Sequence, residues 1–217
     1  ASLTPTNTRE RSMAQALSQD ARFDFIIVGG GTAGCILAET LTRSGRSKVL
    51  LVEAGGEARS PWIRVPAGFY KLLVNKRYNW GFWSTEEAAT NFRRIAIPRG
   101  KGLGGSTLIN GMIYVRGQPQ DYDRWQERGA TGWDWQGVLP HFKALETWDQ
   151  PDPGEMRGHC GPLPITDVIE KSPIGHAFIA AAEAQGQRFN PDYNGRIQEG
   201  VGWYQVNQSR GERVSAA

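Results

Sequence analysis

Three glycines and one acid near the N-terminus have the residue types and spacing of a dinucleotide-binding site. Gly29, Gly31 and Gly34 form the pattern G-x-G-x-x-G, and Glu53 follows about 20 residues after the last glycine. Gly29 permits a tight turn, Gly31 lets a pyrophosphate approach the backbone, and Gly34 allows a helix to pack closely on a strand. Glu53 can accept hydrogen bonds from ribose hydroxyls, which argues against a 2′-phosphate there. The pattern therefore predicts a dinucleotide site and leaves FAD and NAD open.

The neighbouring sequence predicts the elements that would hold these residues. Residues 25–28 predict a buried strand, residues 33–41 carry apolar side chains at helical spacing, and residues 49–53 predict a second strand that ends at the acid. A helix that begins at the glycines offers free N–H groups and a partial positive charge to phosphates. A glycine-rich turn in an ordinary α/β protein is the alternative. The two strands and the acid favour the nucleotide-binding βαβ unit.

The composition fits a globular α/β protein and excludes several other classes. The chain has 217 residues, 39% hydrophobic content, 27 glycines and 8 tryptophans, which suits one large loop-rich domain or slightly more. The formal net charge is +3, and the basic residues within 71–77 and 93–94 are interpreted as solvated loop charges, so no nucleic-acid partner is expected. Cys35 and Cys160 lack the spacing of a zinc site or a disulfide framework, so no metal site is expected. No apolar run approaches about 18 residues, so no transmembrane segment is expected.

The N-terminal residues 1–22 differ from the rest of the chain. They are polar and carry Arg9, Arg11 and Arg22 among Ser, Thr and Gln. They also lack an apolar stretch of signal-peptide length. A flexible N-terminal tail is favoured over a targeting peptide or an expression remnant.

A second glycine-rich stretch spans residues 98–113. Four glycines lie within 100–105, which indicates that the backbone passes close to something large. Ser106 and Thr107 precede an apolar run, so we expect a loop-to-helix junction that either residue can cap. Because the stretch follows a dinucleotide unit, it predicts a second passage of backbone along the same cofactor.

This second stretch resembles the first signature of the glucose–methanol–choline (GMC) oxidoreductases, which are FAD-dependent enzymes that act mostly on alcohols. The matching positions are Gly100, Gly104, Gly105, Ser106, Thr107, Asn110, Tyr114, Gly117 and Asp123. Family-like phrases also occur at 24–29, 51–55, 78–80, 121–125, 132–135, 161–163 and 200–202. The likeness covers residues 22–217 and is nearest to the choline-dehydrogenase-like branch. It implies FAD as the cofactor and an α/β fold, with a Rossmann-like FAD-binding βαβ domain and the beginning of an α+β substrate-binding domain (an incomplete GMC fold).

The resemblance also implies which residues contact the cofactor. In the family the glycine-rich loop lies along the flavin, which puts Asn110 near the reactive face, where it would orient the ring and tune its electronics. An Asn that caps a buried turn is the alternative. Some members bind FAD covalently through a His before the glycines, but Ile97 stands at that position, so non-covalent FAD is expected. The expected cofactor-binding residues are Gly29, Gly31, Thr32, Ala33, Gly34, Glu53, Ala54, Trp80, Arg99, Gly102, Leu103, Gly104, Gly105, Ser106, Asn110, Gly111, Met112 and Ile113.

The downstream sequence predicts further elements and a change of domain. The expected elements are a helix over 135–148 kinked at Pro140, a linker over 149–160, an edge strand at 163–166, a helix from Ser172 to Ala184, a strand at 202–206 and a turn at 209–211. Trp203, Tyr204 and Gln205 face substrate or pack in the interior, and packing is preferred for each. The expected division is a tail at 1–22, the N-terminal part of an FAD-binding domain at 23–155, the start of a substrate-binding domain at 156–209 and a segment returning to the FAD domain at 210–217.

The catalytic base of the family has no match in this chain. Oxidation of an alcohol needs a base that takes the hydroxyl proton, and the family supplies a His, paired with a second His or an Asn, near the end of a chain at least twice as long. His141, His159 and His176 match none of those positions and are interpreted as surface or packing residues. We therefore expect no catalytic residue here. We expect the N-terminal part of an FAD-dependent alcohol dehydrogenase or oxidase, with the C-terminal part either as a second chain or as a missing part of the same chain.

Two other functions stay open at this point. One is a flavin-binding module without catalysis, and the other is a GMC-fold enzyme with lyase or light-driven decarboxylase chemistry. The expected partners are a small alcohol substrate and the remaining part of the enzyme. The expected location is cytoplasmic, with peripheral membrane association as the alternative. The sequence does not distinguish choline from aliphatic, aryl or polyol substrates.

Overall fold

The computed structural model describes residues 21–152 and 155–216. The predicted tail therefore lies outside the described residues, except for Ala21 and Arg22. The helices are α1 (Thr32–Thr42), α2 (Pro61–Arg64), α3 (Phe69–Leu73), α4 (Pro119–Glu127), α5 (Trp135–Leu145) and α6 (Pro173–Ala184). The strands are β1 (Phe25–Val28), β2 (Val49–Val52), β3 (Phe82–Trp83), β4 (Ala96–Ile97), β5 (Ile113–Tyr114), β6 (Glu146–Trp148), β7 (Leu163–Asp167), β8 (Gln205–Val206), β9 (Gln208–Ser209) and β10 (Glu212–Arg213).

The predicted βαβ unit is present. β1 and β2 pair in parallel, with Phe25 opposite Val49 and Val28 opposite Val52, and α1 connects them. The prediction that β1 is buried is wrong for the described residues, because Ile26 is 64% and Val28 is 85% exposed. A parallel strand needs cover on both faces of its sheet. Within the described ranges this pair is the whole sheet, so its apolar side chains stay accessible.

The apolar core lies under the second glycine-rich stretch. Leu108 and Ile109, which belong to that stretch, pack in one cluster with Ile63, Leu72 and Tyr78, and all five are almost inaccessible to solvent. Ile63 lies in α2 and Leu72 in α3, so these two short helices form the floor of the glycine-rich loop. The burial fixes the path of a backbone that has few side chains of its own.

A four-stranded sheet with the order β5-β8-β7-β6 forms the second layer. β7 is an interior strand, so the edge-strand prediction is wrong. Pro164 is tolerated because β7 pairs with β6 at residues 163–165 and with β8 only at residues 166–167. The missing N–H of Pro164 therefore removes no bond on the β8 side.

Two downstream helices agree with the sequence in part. α6 begins after Ser172, whose Oγ accepts a hydrogen bond from the Gly175 N–H at 3.1 Å, as predicted. α5 contains Pro140 but ends at Leu145. The prediction of helix as far as Trp148 is wrong, because residues 146–148 form β6 and pair with β7. The predicted turn at 209–211 is present as the β9–β10 hairpin.

The domain division at 155/156 stays a prediction. β5 and β6 precede this position and β7 and β8 follow it, and all four belong to one sheet. The predicted linker includes Arg157, which is 1% exposed and bonded to Glu146 of β6. The end of that segment is therefore part of the packed interior.

Candidate cofactor site

The carboxylate of Glu53 joins the two glycine-rich stretches. Its Oε2 accepts a hydrogen bond from the Gly30 N–H at 2.7 Å, and its Oε1 accepts from Gly55 at 2.8 Å and from Gly102 at 3.1 Å. The side chain lies at the end of β2, where the sequence predicts a ribose ligand. A carboxylate has about four acceptor sites, so the three backbone bonds leave little capacity for a sugar. Glu53 thus has a structural role that the spacing did not predict.

Glycine is required where the two stretches touch. The Gly104 N–H donates to the Gly30 carbonyl at 2.7 Å. A Cβ on Gly105, whose φ is +55°, would lie 2.6 Å from the Gly31 Cα. A Cβ on Gly34 would lie 1.9 Å from the Gly29 carbonyl oxygen, which confirms its predicted role in close packing of helix on strand. Side chains at these positions would force the two loops apart.

A cavity of about 420 Å³ opens where the stretches meet. Its wall is formed by Val28, Gly29, Gly31, Val52, Glu53, Ala54, Trp80, Gly100 and Gly105. Six of these nine residues are among the predicted cofactor residues. Val28, Val52 and Gly100 were missed. The two valines end their strands, and the crevice at the carboxyl ends of parallel strands is where such folds bind ligands, so that rule could have found them.

The start of α1 supplies the group that a phosphate needs. Gly31 is the N-cap residue and makes no side-chain capping bond, and the first turn contains no acidic residue. Thr32 and Ala33 are exposed in that turn. The N–H groups of a helix of this length bind anions well. The glycine cradle, the open helix end and the acid together fit a dinucleotide such as FAD.

The segment predicted to meet the flavin ring has an unusual backbone. Asn110 is half-buried, and its Oδ1 accepts a hydrogen bond from the Met112 N–H at 3.2 Å. Met112 has a φ of +63°, a left-handed conformation that is uncommon outside glycine. Its carbonyl accepts from the Asn207 N–H at 2.9 Å. Gly111 beside it is exposed, and Ile113 begins β5. Asn110 therefore does cap this turn, as the alternative interpretation predicts. The same side chain can also contact a ligand.

Several predicted residues support the loops instead of lining the cavity. The Ser106 Oγ accepts from the Gly100 N–H at 3.0 Å, and the Thr107 hydroxyl donates to the Gly104 carbonyl at 2.6 Å. The predicted capping of a helix by either residue is wrong, because residues 105–108 form a single 3₁₀ turn that starts after Gly104 in a left-handed conformation. Gly104 and Gly105 both have a positive φ, which an α-helix does not allow, so no longer helix can begin here.

Of the predicted residues that carry larger side chains, Trp80 lines the cavity, whereas Arg99 and Leu103 do not. Trp80 is 44% exposed, stacks on Phe82 with ring centroids 5.8 Å apart, and has the Lys101 Nζ 4.7 Å from its ring centre. Arg99 is exposed and donates to the carbonyl of Pro98. Leu103 contacts the first loop near Gly30. Ile97, at the position matched to the covalent His of some relatives, lies half-buried in β4 and offers no nucleophile.

Arg213 is the functional-site neighbour that the sequence did not reveal. It is 6% exposed, and it donates from Nε to the Ile63 carbonyl at 3.0 Å and from Nη1 to the Thr107 carbonyl at 3.2 Å. Nη1 also donates to the Asn110 Oδ1. The contact joins residues far apart in the chain, and no local pattern marks it.

None of the three histidines lines the cavity. His141 and His176 are exposed on α5 and α6, and the His159 Nδ1 lies 2.6 Å from the Trp148 carbonyl oxygen. Among residues 21–152 and 155–216, no three His, Cys, Asp or Glu side chains gather as a metal site. No helix in those ranges is long and apolar enough to cross a membrane.

Comparisons with known proteins agree with this geometry. An "Oxygen-dependent choline dehydrogenase" of Rhizobium meliloti (strain 1021) is 45% identical over 194 residues, which are 89% of this chain and 35% of that protein. The chain thus spans about a third of the length of the curated relatives it matches. The structure superposes on pyridoxine 4-oxidase from "Mesorbium loti" with a TM-score of 0.84 and 38% identity, covering 90% of this chain and 38% of that one.

A second solved structure and a family profile extend the match. A mutant of Aspergillus oryzae formate oxidase, studied for FAD modification, gives a TM-score of 0.83 and 28% identity over 92% of this chain and 37% of its own. The sequence profile described as GMC oxidoreductase matches residues 23–217. The FAD-dependent α/β fold implied by the second glycine-rich stretch is confirmed, and the chain belongs to the GMC oxidoreductase family.

Proposed function

We propose that this chain binds FAD at the cavity between its two glycine-rich stretches and forms the flavin-binding part of an enzyme that oxidises an alcohol. The observation that carries the proposal is the Glu53 carboxylate, which bonds backbone N–H groups of both stretches. That contact holds the two stretches together around one cavity at the carboxyl ends of β1 and β2. Gly29, Gly31, Gly100 and Gly105 leave parts of its wall without a Cβ, so a bulky cofactor can approach the backbone there.

Each part of the wall has a role toward the cofactor. The N-terminus of α1 would bind the pyrophosphate, and Glu53 would use its remaining acceptor capacity on a ribose hydroxyl. The segment from Asn110 to Ile113 would lie against the isoalloxazine. Bound FAD supplies a hydride acceptor for the alcohol carbon. With Ile97 at the matched position, binding is non-covalent.

The proton of the alcohol must leave through a residue outside this cavity wall. The wall contains no histidine, and its one carboxylate, Glu53, is held by three backbone N–H groups. We therefore place the base, a His paired with a His or an Asn, on the C-terminal part of the enzyme. We also propose that this C-terminal part is a second chain and that the enzyme is cytoplasmic.

The substrate class is inferred from the relatives' names. One similar protein is named for choline and another for pyridoxine, and both compounds carry a primary alcohol beside a nitrogen-containing group. We propose a small alcohol of that kind. Addition of choline or pyridoxine to the FAD-loaded enzyme without oxygen should bleach the oxidised-flavin band. A single polypeptide of 217 residues that oxidises alcohols without any other chain would contradict the placement of the base.

Two glycine-to-alanine variants distinguish an effect on cofactor binding from an effect on folding. In Gly31→Ala the new Cβ would have only the Gly105 Cα nearby, at 3.9 Å, so the protein should fold normally. The same methyl group would stand in the path of the pyrophosphate, so the dissociation constant for FAD should rise at least about tenfold, or about 1.4 kcal/mol. Flavin fluorescence quenching measures the binding and thermal unfolding measures the fold.

The matched control is Gly56→Ala, because a Cβ there meets nothing within 4 Å. This variant should bind FAD as the unmodified chain does. If Gly31→Ala also binds FAD normally, the pyrophosphate does not lie at this loop and the proposed site is wrong.

A further inference from the structure

The backbone at Met112 is held in a strained conformation by contacts from two segments of the chain, residues 110 and 207–208. Its φ of +63° is uncommon for a residue with a long side chain. The Asn110 Oδ1 accepts from its N–H, the Asn207 N–H donates to its carbonyl, and the Gln208 Nε2 lies 3.6 Å from its sulfur. Strained residues of this kind persist where the surroundings over-determine them, and they concentrate at ligand-binding sites.

Arg213 is the cation behind this segment. Its side chain is 94% removed from solvent, and no carboxylate lies within ion-pair distance of it among the described residues. Burial lowers the pKa of its guanidinium to about 10. Its Nη2 has no hydrogen-bond partner among those residues. A buried arginine with no carboxylate partner among the described residues is costly to the fold, which points to a role toward a ligand beside its support of the Ile63 and Thr107 carbonyls.

The hydrogen bonds of Asn110 fix which way its amide faces. Arg213 Nη1 and the Met112 N–H are both donors with no acceptor capacity, so the atom between them must be the amide oxygen. This chemistry resolves the oxygen–nitrogen ambiguity that an isolated Asn has. The Nδ2 then has no acceptor within the described part of the chain, and its two N–H groups are available to a ligand.

We propose that Arg213 is a positioning residue that holds Asn110 so that its Nδ2 serves as a hydrogen-bond donor to the flavin ring. The inference rests on the proposed function, since it needs FAD against the Asn110–Ile113 segment. Reduced flavin carries more negative charge than oxidised flavin. A fixed N–H donor with a buried cation behind it therefore stabilises the reduced form more.

The first test uses the protein without cofactor. Asn110→Asp keeps an oxygen for both Arg213 and Met112 and adds a negative charge beside the unbalanced cation. If the amide oxygen faces Arg213, this variant unfolds at the same temperature as the unmodified chain or higher. A lower unfolding temperature would show that Arg213 does not face the oxygen, and would overturn the inference.

The second test measures the dissociation constants of oxidised and reduced FAD, and takes their ratio. Asn110→Ala should weaken binding of reduced FAD relative to oxidised FAD about tenfold, which for a two-electron couple is about 30 mV. Arg213→Lys keeps the charge but replaces the planar fork that reaches the Ile63 and Thr107 carbonyls together with Asn110. It should shift the ratio in the same direction.

The double variant decides whether Arg213 acts through Asn110. If it does, Arg213→Lys adds nothing to the ratio once Asn110→Ala is present. Additive shifts, or an unchanged ratio in both single variants, would overturn the inference. Ser172→Ala, which removes the distant cap of α6, controls for lowered stability alone and should leave the ratio unchanged. Failure of the unmodified chain to bind FAD would instead refute the proposed function.

Discussion

The part of the chain that the structure describes contains two parallel strand pairs that are stabilised in different ways. β1 is apolar and largely open to solvent, whereas β2 is apolar and mostly half-buried. At their carboxyl ends the Glu53 side chain accepts a hydrogen bond from the Gly30 N–H. β6 and β7 bury Glu146, Trp148 and Ile165, and charged side chains fasten them to the rest of the second layer. The comparison shows that glycines form much of the cavity wall, whereas the frame, meaning the sheet β5-β8-β7-β6 and the loops packed on it, is held by charged side chains.

The frame has a network of buried charges at its centre. The fully buried Glu146 carboxylate lies 2.6 Å from Arg116 Nη2 and 2.9 Å from Arg157 Nε. Arg157 also contacts Asp192 at 2.8 Å and the Gln205 side chain at 3.0 Å. These residues come from β6, β8 and three loops. Gln205 is therefore a packing residue in the described structure, as the sequence analysis preferred.

The largest expected effect is a loss of stability caused by disrupting the buried charges of the frame. Glu146→Gln leaves two buried guanidinium groups without their shared carboxylate, which should lower the free energy of unfolding by about 3–5 kcal/mol. Urea unfolding measures the change. The control Glu39→Gln removes the exposed pair with Arg43 and should cost less than about 1 kcal/mol. Equal losses in the two variants would mean that the buried network does not distinguish the frame.

A smaller effect on stability is expected where α1 packs against the turn that follows β1. Gly34→Ala puts a methyl group 1.9 Å from the Gly29 carbonyl and should push α1 off β1, at about 1–3 kcal/mol. Hydrogen exchange should increase in β1 and β2 and stay unchanged in β6–β8 if the two regions are independent. Exchange that rises equally in both regions would show one cooperative unit and remove the contrast.

The smallest expected effect is on the pH dependence of stability, and it comes from Asp121, which lies in neither strand pair. The pKa of Asp121 in α4 lies below its ordinary value of 3.8, because the Gln118 N–H donates to it and Arg124 pairs with it. A lowered carboxyl pKa stabilises the fold above pH 3.8 and stops doing so as pH falls through the folded-state value. Thermal unfolding from pH 5 to pH 2 should therefore show a slightly smaller loss of stability for Asp121→Asn.

The control for this titration is Glu127→Gln, the same change of charge at the other end of α4. It should retain the acid sensitivity that Asp121 contributes. Indistinguishable pH profiles for Asp121→Asn and the unmodified chain would mean that the capping contact is absent in solution.

The sequence predicted what depends on local pattern. The β1–α1–β2 unit follows from apolar runs and the constraint at Gly29 and Gly34, and the start of α6 follows from Ser172. The predictions from sequence were wrong where a partner distant in the chain determines the local structure. Residues 146–148 have helical spacing, but their pairing with β7 makes them a strand. The exposure of Val28 depends on what covers a sheet face, and no property of a single strand reveals that.

The candidate site likewise has a part that the sequence predicted and a part that it did not. Glycine spacing located most of the cavity wall, because a close backbone approach leaves a mark in composition. The second role of Glu53 and the contact of Arg213 with Asn110 have no corresponding signal in the sequence. The latter joins positions 103 residues apart, and only the fold brings them together.

That long contact has a consequence for synthesis on the ribosome. Arg213 bonds the carbonyl of Ile63, 150 positions earlier, and completes the support of the second glycine-rich stretch. At typical rates of about 5–20 residues per second, about 8–30 s pass between the emergence of the two residues. During this interval the loop that faces the cofactor lacks its anchor. Productive capture of flavin by a nascent chain should therefore wait until the hairpin has emerged.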